Sequence, residues 1–245
     1  MRLCRCLRSA TLLGRLRQLS TSAGDAFVDV KRAEKWPSEL LADFWQSCRI
    51  FPDYLSVEQE AQLYAEVEPR LKKLRYESTH WDDAIRRYRE TERSQWSPAN
   101  ERLLSRWRSV AFDGAPRASL LTHVHVLDLH EEGVILPHVD SERYCGSTIA
   151  GLCLLSDAVM RLVHVEEKTL VADLLLRRRS AYLLKGVSRY KFTHEVLANA
   201  ESSFGGEPVP RSRRVSVICR DLPSQGAATP QPLAAWKTVT VPADD

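Results

Sequence analysis

His138-Val139-Asp140 sets an imidazole and a carboxylate two residues apart, just after Pro137. In an extended strand, residues i and i+2 point to the same face, so both side chains can reach one metal ion. A third ligand must come from elsewhere in the chain. His194, in the run Tyr190-Lys191-Phe192-Thr193-His194-Glu195, lies on a later strand-like segment and can supply it. Two histidines and one carboxylate on one side of an Fe(II) leave three adjacent positions open. Those positions suit a bidentate α-keto acid together with O2. A lone His-x-Asp pair carries little weight; the distal histidine gives it meaning.

The run Arg214-Val215-Ser216-Val217-Ile218-Cys219-Arg220 adds the next group. Strand alternation puts Arg214, Ser216, Ile218 and Arg220 on one face, and Val215, Val217 and Cys219 on the other. Two arginines facing an apolar interior are costly without anionic partners. A dicarboxylic cosubstrate provides one, because the guanidinium fork matches a carboxylate bidentately. The bland alternative is an exposed edge with no function. His123, His125 and His164 read as core residues or as supports for the site, and His80 as structural or as part of its rim. Cys153 and Cys219 read as small buried hydrophobes.

The elements that must position these groups change character near Leu120. Before it the chain reads as helical. Ser56 and Gln59 form a capping box with Leu55 as its staple, followed by Leu63, Val67, Leu71 and Leu74 at helical spacing, with Pro69 expected to kink or end the segment. Ser97-Pro98 starts a second helix with Leu103, Leu104, Trp107, Val110 and Ala111 on one face. The stretch between them, from Trp81 to Trp96, reads as a loop-rich connector. Trp81, Tyr88 and Trp96 are the aromatic residues that could border a pocket. After Leu120 the period becomes two, with runs over Leu121–Leu129, Val134–Asp140, Thr148–Leu155, Val159–Val165, Leu170–Leu176, Ala181–Lys185, Tyr190–Leu197 and Arg214–Arg220. Eight short strands with turn-like breaks predict a mainly β protein with N-terminal helices, its body a jelly roll, or double-stranded β-helix.

At 245 residues the chain can bury one sizeable core. Residues 1–24 carry five arginines, no acid, interleaved leucines and a Ser20-Thr21-Ser22 stretch, the composition of a mitochondrial transit peptide. The whole chain carries +3; without those five arginines the remainder stands at −2. A weakly acidic body is not built for sequence-independent nucleic-acid binding, although basic clusters such as Lys72-Lys73, Arg177-Arg178-Arg179 and Arg211-Arg213-Arg214 remain. No apolar run reaches the roughly 18 residues of a membrane-spanning helix. The scattered cysteines form neither a disulfide framework nor a zinc motif and suit a reducing compartment. The expected organisation is a transit peptide over 1–24, a helical extension packed on the barrel over 25–119, the β-helix core over 120–223 and a disordered tail over 224–245.

The order His138-x-Asp140, His194, Arg214-x5-Arg220 resembles the AlkB family of Fe(II)/2-oxoglutarate dioxygenases, and within it a mitochondrial member. The residues that carry the likeness include Tyr76 through Trp81, Arg89-Glu90-Thr91-Glu92, His123 to Leu129, Pro137 to Asp140, Val159 to His164 and Arg213 to Arg220, within a span of roughly Phe51 to Pro223. The resemblance implies that His138, Asp140 and His194 ligate iron. It implies that Arg214 grips the distal carboxylate of 2-oxoglutarate with Val215 and Ser216 beside it. It also implies that the Tyr182 hydroxyl donates to the same cosubstrate and that Arg220 closes the site. With Fe(II), 2-oxoglutarate and O2 the activity would be oxidative. The nucleotide-recognition lid of the repair enzymes has no hairpin counterpart in the sequence read this way. An open site points to a protein substrate, with RNA as the next reading and duplex DNA disfavoured. A matrix location and a part in alkylation-induced programmed necrosis and fatty-acid metabolism are what the resemblance implies biologically. Three functions remain open: a protein hydroxylase, a demethylase of mitochondrial RNA, and a binding scaffold with a vestigial metal site. A zinc hydrolase leaves the interior arginines without a role.

Overall fold

The computed structural model describes residues 24–80 and 83–223; residues 1–23 of the proposed transit peptide, Trp81, Asp82 and the tail lie outside the described residues. β1 (Val28–Val30) leads into α1 (Ser38–Ser47), β2 (Cys48–Phe51) and α2 (Val57–Leu71). β3 (Ile85–Arg93) and α3 (Pro98–Ala111) follow. The strands β4 (Val124–His138), β5 (Thr148–Leu154), β6 (Ala158–His164), β7 (Val171–Leu176) and β8 (Ala181–Lys185) come next. The short α4 (Gly186–Tyr190), then β9 (Phe192–Val196), the two-residue strands β10 (Ser203–Phe204) and β11 (Glu207–Pro208), and β12 (Arg214–Arg220) complete the order.

Ten of these strands form one antiparallel sheet in the order β1-β7-β6-β9-β4-β12-β5-β8-β2, with β3 also paired to β4. β4 joins its two halves. Residues 125–129 pair with β12, whereas Ile135 and His138 pair with β9. The sheet therefore wraps on itself into a nearly closed jelly-roll barrel, as the strand spacing predicted. Alternation sorts the side chains into two cores. Leu127, Leu129, Ile149, Cys153, Tyr182, Leu184 and Ile218 face the barrel interior. Val126, Leu152, Leu183, Val215, Val217 and Cys219 face outward and are covered by Leu63, Val67 and Leu71 of α2 and Leu104 and Trp107 of α3. Full burial of each such aliphatic side chain stabilises by about 1.5–3 kcal/mol.

The helix starts follow their sequence signals. Ser56 Oγ accepts from Gln59 N at 3.1 Å while Gln59 Oε1 accepts from Ser56 N at 3.1 Å, and Ser97 Oγ caps α3 through Asn100 N at 3.4 Å. α2 runs through Pro69 to Leu71 and ends there.

Three local readings are corrected. The two runs Leu121–Leu129 and Val134–Asp140 are one bent strand, β4, and not two strands separated by a turn at Glu132-Gly133. At the bend a Cβ on Gly133 would stand 2.6 Å from Arg87 O, so only glycine lets β3 pass. The segment read as a loop-rich connector contains β3, which pairs with β4 from Ile85 to Arg93 across a bulge at Arg87. Residues 77–80 also pair with 85–88, through Glu77 with Tyr88 and His80 with Ile85. Thus 25–119 supplies three strands to the sheet besides its helices. Finally, Tyr190 ends α4 instead of starting β9, because Gly186 at φ +50° turns the chain into a helical loop.

Candidate metal and cosubstrate site

His138 and His194 are direct cross-strand partners in the β4–β9 ladder. Asp140 stands two residues beyond His138, in the loop after β4. Asp140 Oδ1 lies 3.3 Å from His138 Nε2 and 3.6 Å from His194 Nε2. The three ligand atoms all fall within 4.8 Å of one another. Two donors each about 2.1 Å from a metal and at right angles stand about 3 Å apart, so this spacing fits one first-row ion. The tautomers fit too. Leu136 O, which can only accept, sits 2.8 Å from His138 Nδ1, so Nδ1 carries the proton and Nε2 keeps its lone pair for the ion. Burial and the neighbouring His138 push His194 down to about 3, holding it neutral. Burial alone would raise the Asp140 pKa, but Arg220 and the two histidines hold it well below the usual carboxylate range. A neutral His/His and ionised carboxylate set is the donor chemistry of an Fe(II) site with open positions.

Arg214, Ser216, Ile218 and Arg220 all line the inner face of β12. Arg214 is 1% exposed. Its Nη2 donates to Cys153 Sγ at 3.5 Å, and its Nε has no hydrogen-bond partner among the described residues, nor has Ser216 Oγ. A buried guanidinium beside an orphaned hydroxyl is a carboxylate site by its chemistry. Tyr182 reaches the same wall from β8. Its ring covers Gly151, where a Cβ would lie 2.2 Å from the ring. Burial pushes its hydroxyl up to about 12 even with Arg214 nearby, leaving a neutral donor. Val215, expected beside Arg214, turns its side chain to the opposite face and packs under the helices; the structure does not bring it to the site.

Arg220 closes the constellation. Its Nη2 donates to Asp140 Oδ2 at 3.2 Å and its Nη1 to His125 Nδ1 at 3.2 Å. Because arginine cannot accept, His125 must keep its proton on Nε2, which donates to Glu90 Oε2 at 2.9 Å. Glu90 Oε1 is 3.4 Å from His80 Nε2. A line of side chains thus runs from β3 to the triad and holds Asp140 with one oxygen free for metal. Among the other predicted residues, Tyr88 is buried in the barrel core and Trp96 packs on the helix side. His164 Nδ1 accepts from Glu166 N and Glu167 N. Two surface hollows, one by Glu131, Asn199 and Arg211 and one by Asp29, Lys31 and Thr169, contain none of these groups.

Sequence reasoning missed three residues. Asp221 accepts from Ser147 N, Ser147 Oγ and Thr148 N at 3.0, 3.0 and 2.8 Å and pins the loop after Asp140. Cys145, in that loop, approaches Asp140 Oδ2 at 3.9 Å. Arg189 of α4 donates to Cys145 Sγ at 3.3 Å. Each is a lone residue without periodic neighbours, so no spacing pointed to it.

The 2OG-Fe(II) oxygenase superfamily matches residues 38–220. A protein of Mus musculus called alpha-ketoglutarate-dependent dioxygenase alkB homolog 7, mitochondrial, is 54% identical over 174 residues, covering 71% of this chain and 78% of that one. The Bos taurus protein of the same name is 53% identical over 172 residues, covering 70% and 77%. Two solved structures share the fold at low identity. One is OsALKBH1, with TM-score 0.52 and 10% identity over 71% of this chain and 98% of that one. The other is a Pseudomonas putida prolyl-4-hydroxylase, with TM-score 0.52 and 13% identity over 75% and 97%.

Proposed function

The chain belongs to the 2OG-Fe(II) oxygenase superfamily, on its AlkB side, and from that premise we propose that it oxidises a protein side chain in the mitochondrial matrix. It is a dioxygenase that uses Fe(II), 2-oxoglutarate and O2. His138, Asp140 and His194 hold the iron. Arg214, Ser216 and Tyr182 bind the cosubstrate, and Arg220 orients Asp140. The carrying observation is the triad within 4.8 Å in a barrel that also buries Arg214 with its Nε unpartnered among the described residues.

When bound, the iron and keto acid supply oxidative chemistry: a C–H bond, O2 and 2-oxoglutarate give C–OH, succinate and CO2. The protein's own groups bind and orient. Arg214 takes the far carboxylate, because nothing else among the described residues satisfies its Nε. Tyr182 and Ser216 donate hydroxyls to it. The Arg220–His125–Glu90 line keeps Asp140 ionised and one-sided. The apolar interior face excludes water. No general base is needed. The relatives' names support the mitochondrial placement, the composition of residues 1–24 supports import, and the family resemblance alone supports a part in programmed necrosis and fatty-acid metabolism.

A protein substrate suits the body's charge of −2, which favours no phosphate backbone. A second reading, demethylation of mitochondrial RNA, draws on the pairing of residues 77–80 with 85–88, which brings His80 to Glu90. The first test is calorimetric titration of 2-oxoglutarate into anaerobic Mn(II)-loaded protein. Arg214→Ala should weaken binding at least about thirtyfold, as truncation of a buried charge partner costs about 2–5 kcal/mol, and His138→Ala should abolish metal-dependent binding. A folded parent that binds no 2-oxoglutarate leaves a scaffold. With turnover in hand, one added oxygen on a polypeptide supports the protein reading; methyl loss from RNA replaces it with the second.

A further inference from the structure

Arg189 is the buried cation that the chemistry above leaves unused. It is 1% exposed and among the largest fully buried side chains. Nη2 donates to Cys145 Sγ, but Nε and Nη1 have no hydrogen-bond partner among the described residues. Its ring neighbour Tyr190, 4.8 Å below the guanidinium, offers a π face and no counter-charge.

Arg211 makes an instructive contrast. It is also buried, yet its Nη atoms are spent on the carbonyls of His130, Ser212 and Gly133, so it is a structural clasp. Arg189 has no such carbonyls. Nor does an acid form an ion pair with it among the described residues. Asp140 is paired with Arg220, and Glu90 with His125 and His80. In the dioxygenase reading the far carboxylate of the keto acid is taken by Arg214 and does not serve Arg189. One guanidinium in the barrel would still lack an anion, and an unpaired buried charge is among the costliest features a fold can keep.

Its position says where the anion comes from. Arg189 touches Cys145 at 3.3 Å, and Cys145 approaches Asp140 at 3.9 Å. It therefore lies beside the triad, on α4, whereas the predicted cosubstrate anchor Arg214 is on β12. Resting on the dioxygenase reading, we propose that Arg189 anchors a carboxylate of the molecule being oxidised, so that the substrate is acidic and the oxidised carbon stands a few bonds from that carboxylate. The carboxylate can belong to a glutamyl or aspartyl side chain or to a short acyl chain.

The test uses the full chain loaded with Mn(II) and saturating 2-oxoglutarate, without O2. Butyrate and N-acetylglutamate α-amide are titrated in, each against its uncharged amide, with 2-oxoglutarate affinity measured in parallel on parent, Arg189→Met and Arg189→Lys proteins. In the parent at least one carboxylate should bind about tenfold or more better than its amide, because only it completes the guanidinium fork. Butyrate alone identifies an acyl chain, and the glutamate probe alone identifies a polypeptide. Arg189→Met should erase the preference, and Arg189→Lys should keep part of it, while both bind 2-oxoglutarate as the parent does. A parent that binds 2-oxoglutarate but treats carboxylate and amide alike overturns the proposal and spares the dioxygenase reading. Loss of 2-oxoglutarate binding in both variants also overturns it, by assigning Arg189 to the cosubstrate. Failure of the parent itself to bind 2-oxoglutarate sinks the broader reading instead.

Discussion

Glu90 never touches the triad, yet it holds the far end of the line that fixes Asp140. Burial alone would raise its pKa, but hydrogen bonds with His125 and His80 hold it well below the usual carboxylate range. A carboxyl whose folded pKa is depressed contributes stability above its unfolded value of about 4.3 and loses it as pH falls below that. Glu90→Gln should therefore lower the urea midpoint at neutral pH, and the gap to the parent should close as pH falls below about 4. A gap that stays unchanged well below about pH 4 would mean that the line carries no charge-dependent stability. At this scale the candidate metal triad was legible, because Asp140 follows His138 at the end of β4 by two residues and His194 lies on a later strand. His125 was visible only as an inward histidine. Its partner Glu90 was hidden, since nothing in Arg89-Glu90-Thr91-Glu92 marks one acid as buried.

The adjacency of β8, β5 and β12 makes the wall proposed to hold the cosubstrate. Tyr182 opposes Gly151, and Gly151 opposes Ile218, in one row across three strands. A methyl group on Gly151 would stand 2.2 to 2.6 Å from the Tyr182 ring and hydroxyl, and a ring cannot yield as a flexible chain would. Gly151→Ala should cost about 1–3 kcal/mol as overpacking and weaken 2-oxoglutarate binding while Mn(II) binding persists. Calorimetry with each ligand separates the two, and parent-like 2-oxoglutarate affinity would remove Tyr182 from the site. These strands were readable because their alternation is strong. β3 was not: Ile85-Arg86-Arg87-Tyr88-Arg89-Glu90-Thr91-Glu92-Arg93 is mostly charged, and it is a strand because β4 offers a ladder and because Arg89 finds Asp128. The bend at Gly133 was misread for the opposite reason. Glu132-Gly133 has turn composition, and only the passage of β3 behind it keeps the strand going.

Across the molecule, α2 is tied to the barrel by charge as well as by apolar packing. Asp128 is 0% exposed. It receives Arg89 Nε at 2.6 Å and Arg213 Nη2 at 2.7 Å, and Arg213 reaches on to Glu68 at 2.6 Å and Tyr64 at 2.9 Å. Arg213, which composition groups with a solvated basic cluster, is thus the bolt between helix and sheet. Asp128→Asn should lower stability by about 3–5 kcal/mol, the cost of stripping a buried charge from its partners, seen as a fall in urea midpoint. A change below about 1 kcal/mol would reduce the network to surface-pair status. The pairing of His138 with His194 reaches further. A slip of β9 by one residue would turn His194 out and bring Thr193 or Glu195 into line, and a slip by two would present Phe192 or Val196. None of these restores both histidines beside the carboxylate, so the native register is the one that presents the His–Asp–His set. Metal uptake then acts as proofreading of the fold, drawing the chain toward the native register by mass action and leaving misthreaded molecules to be cleared.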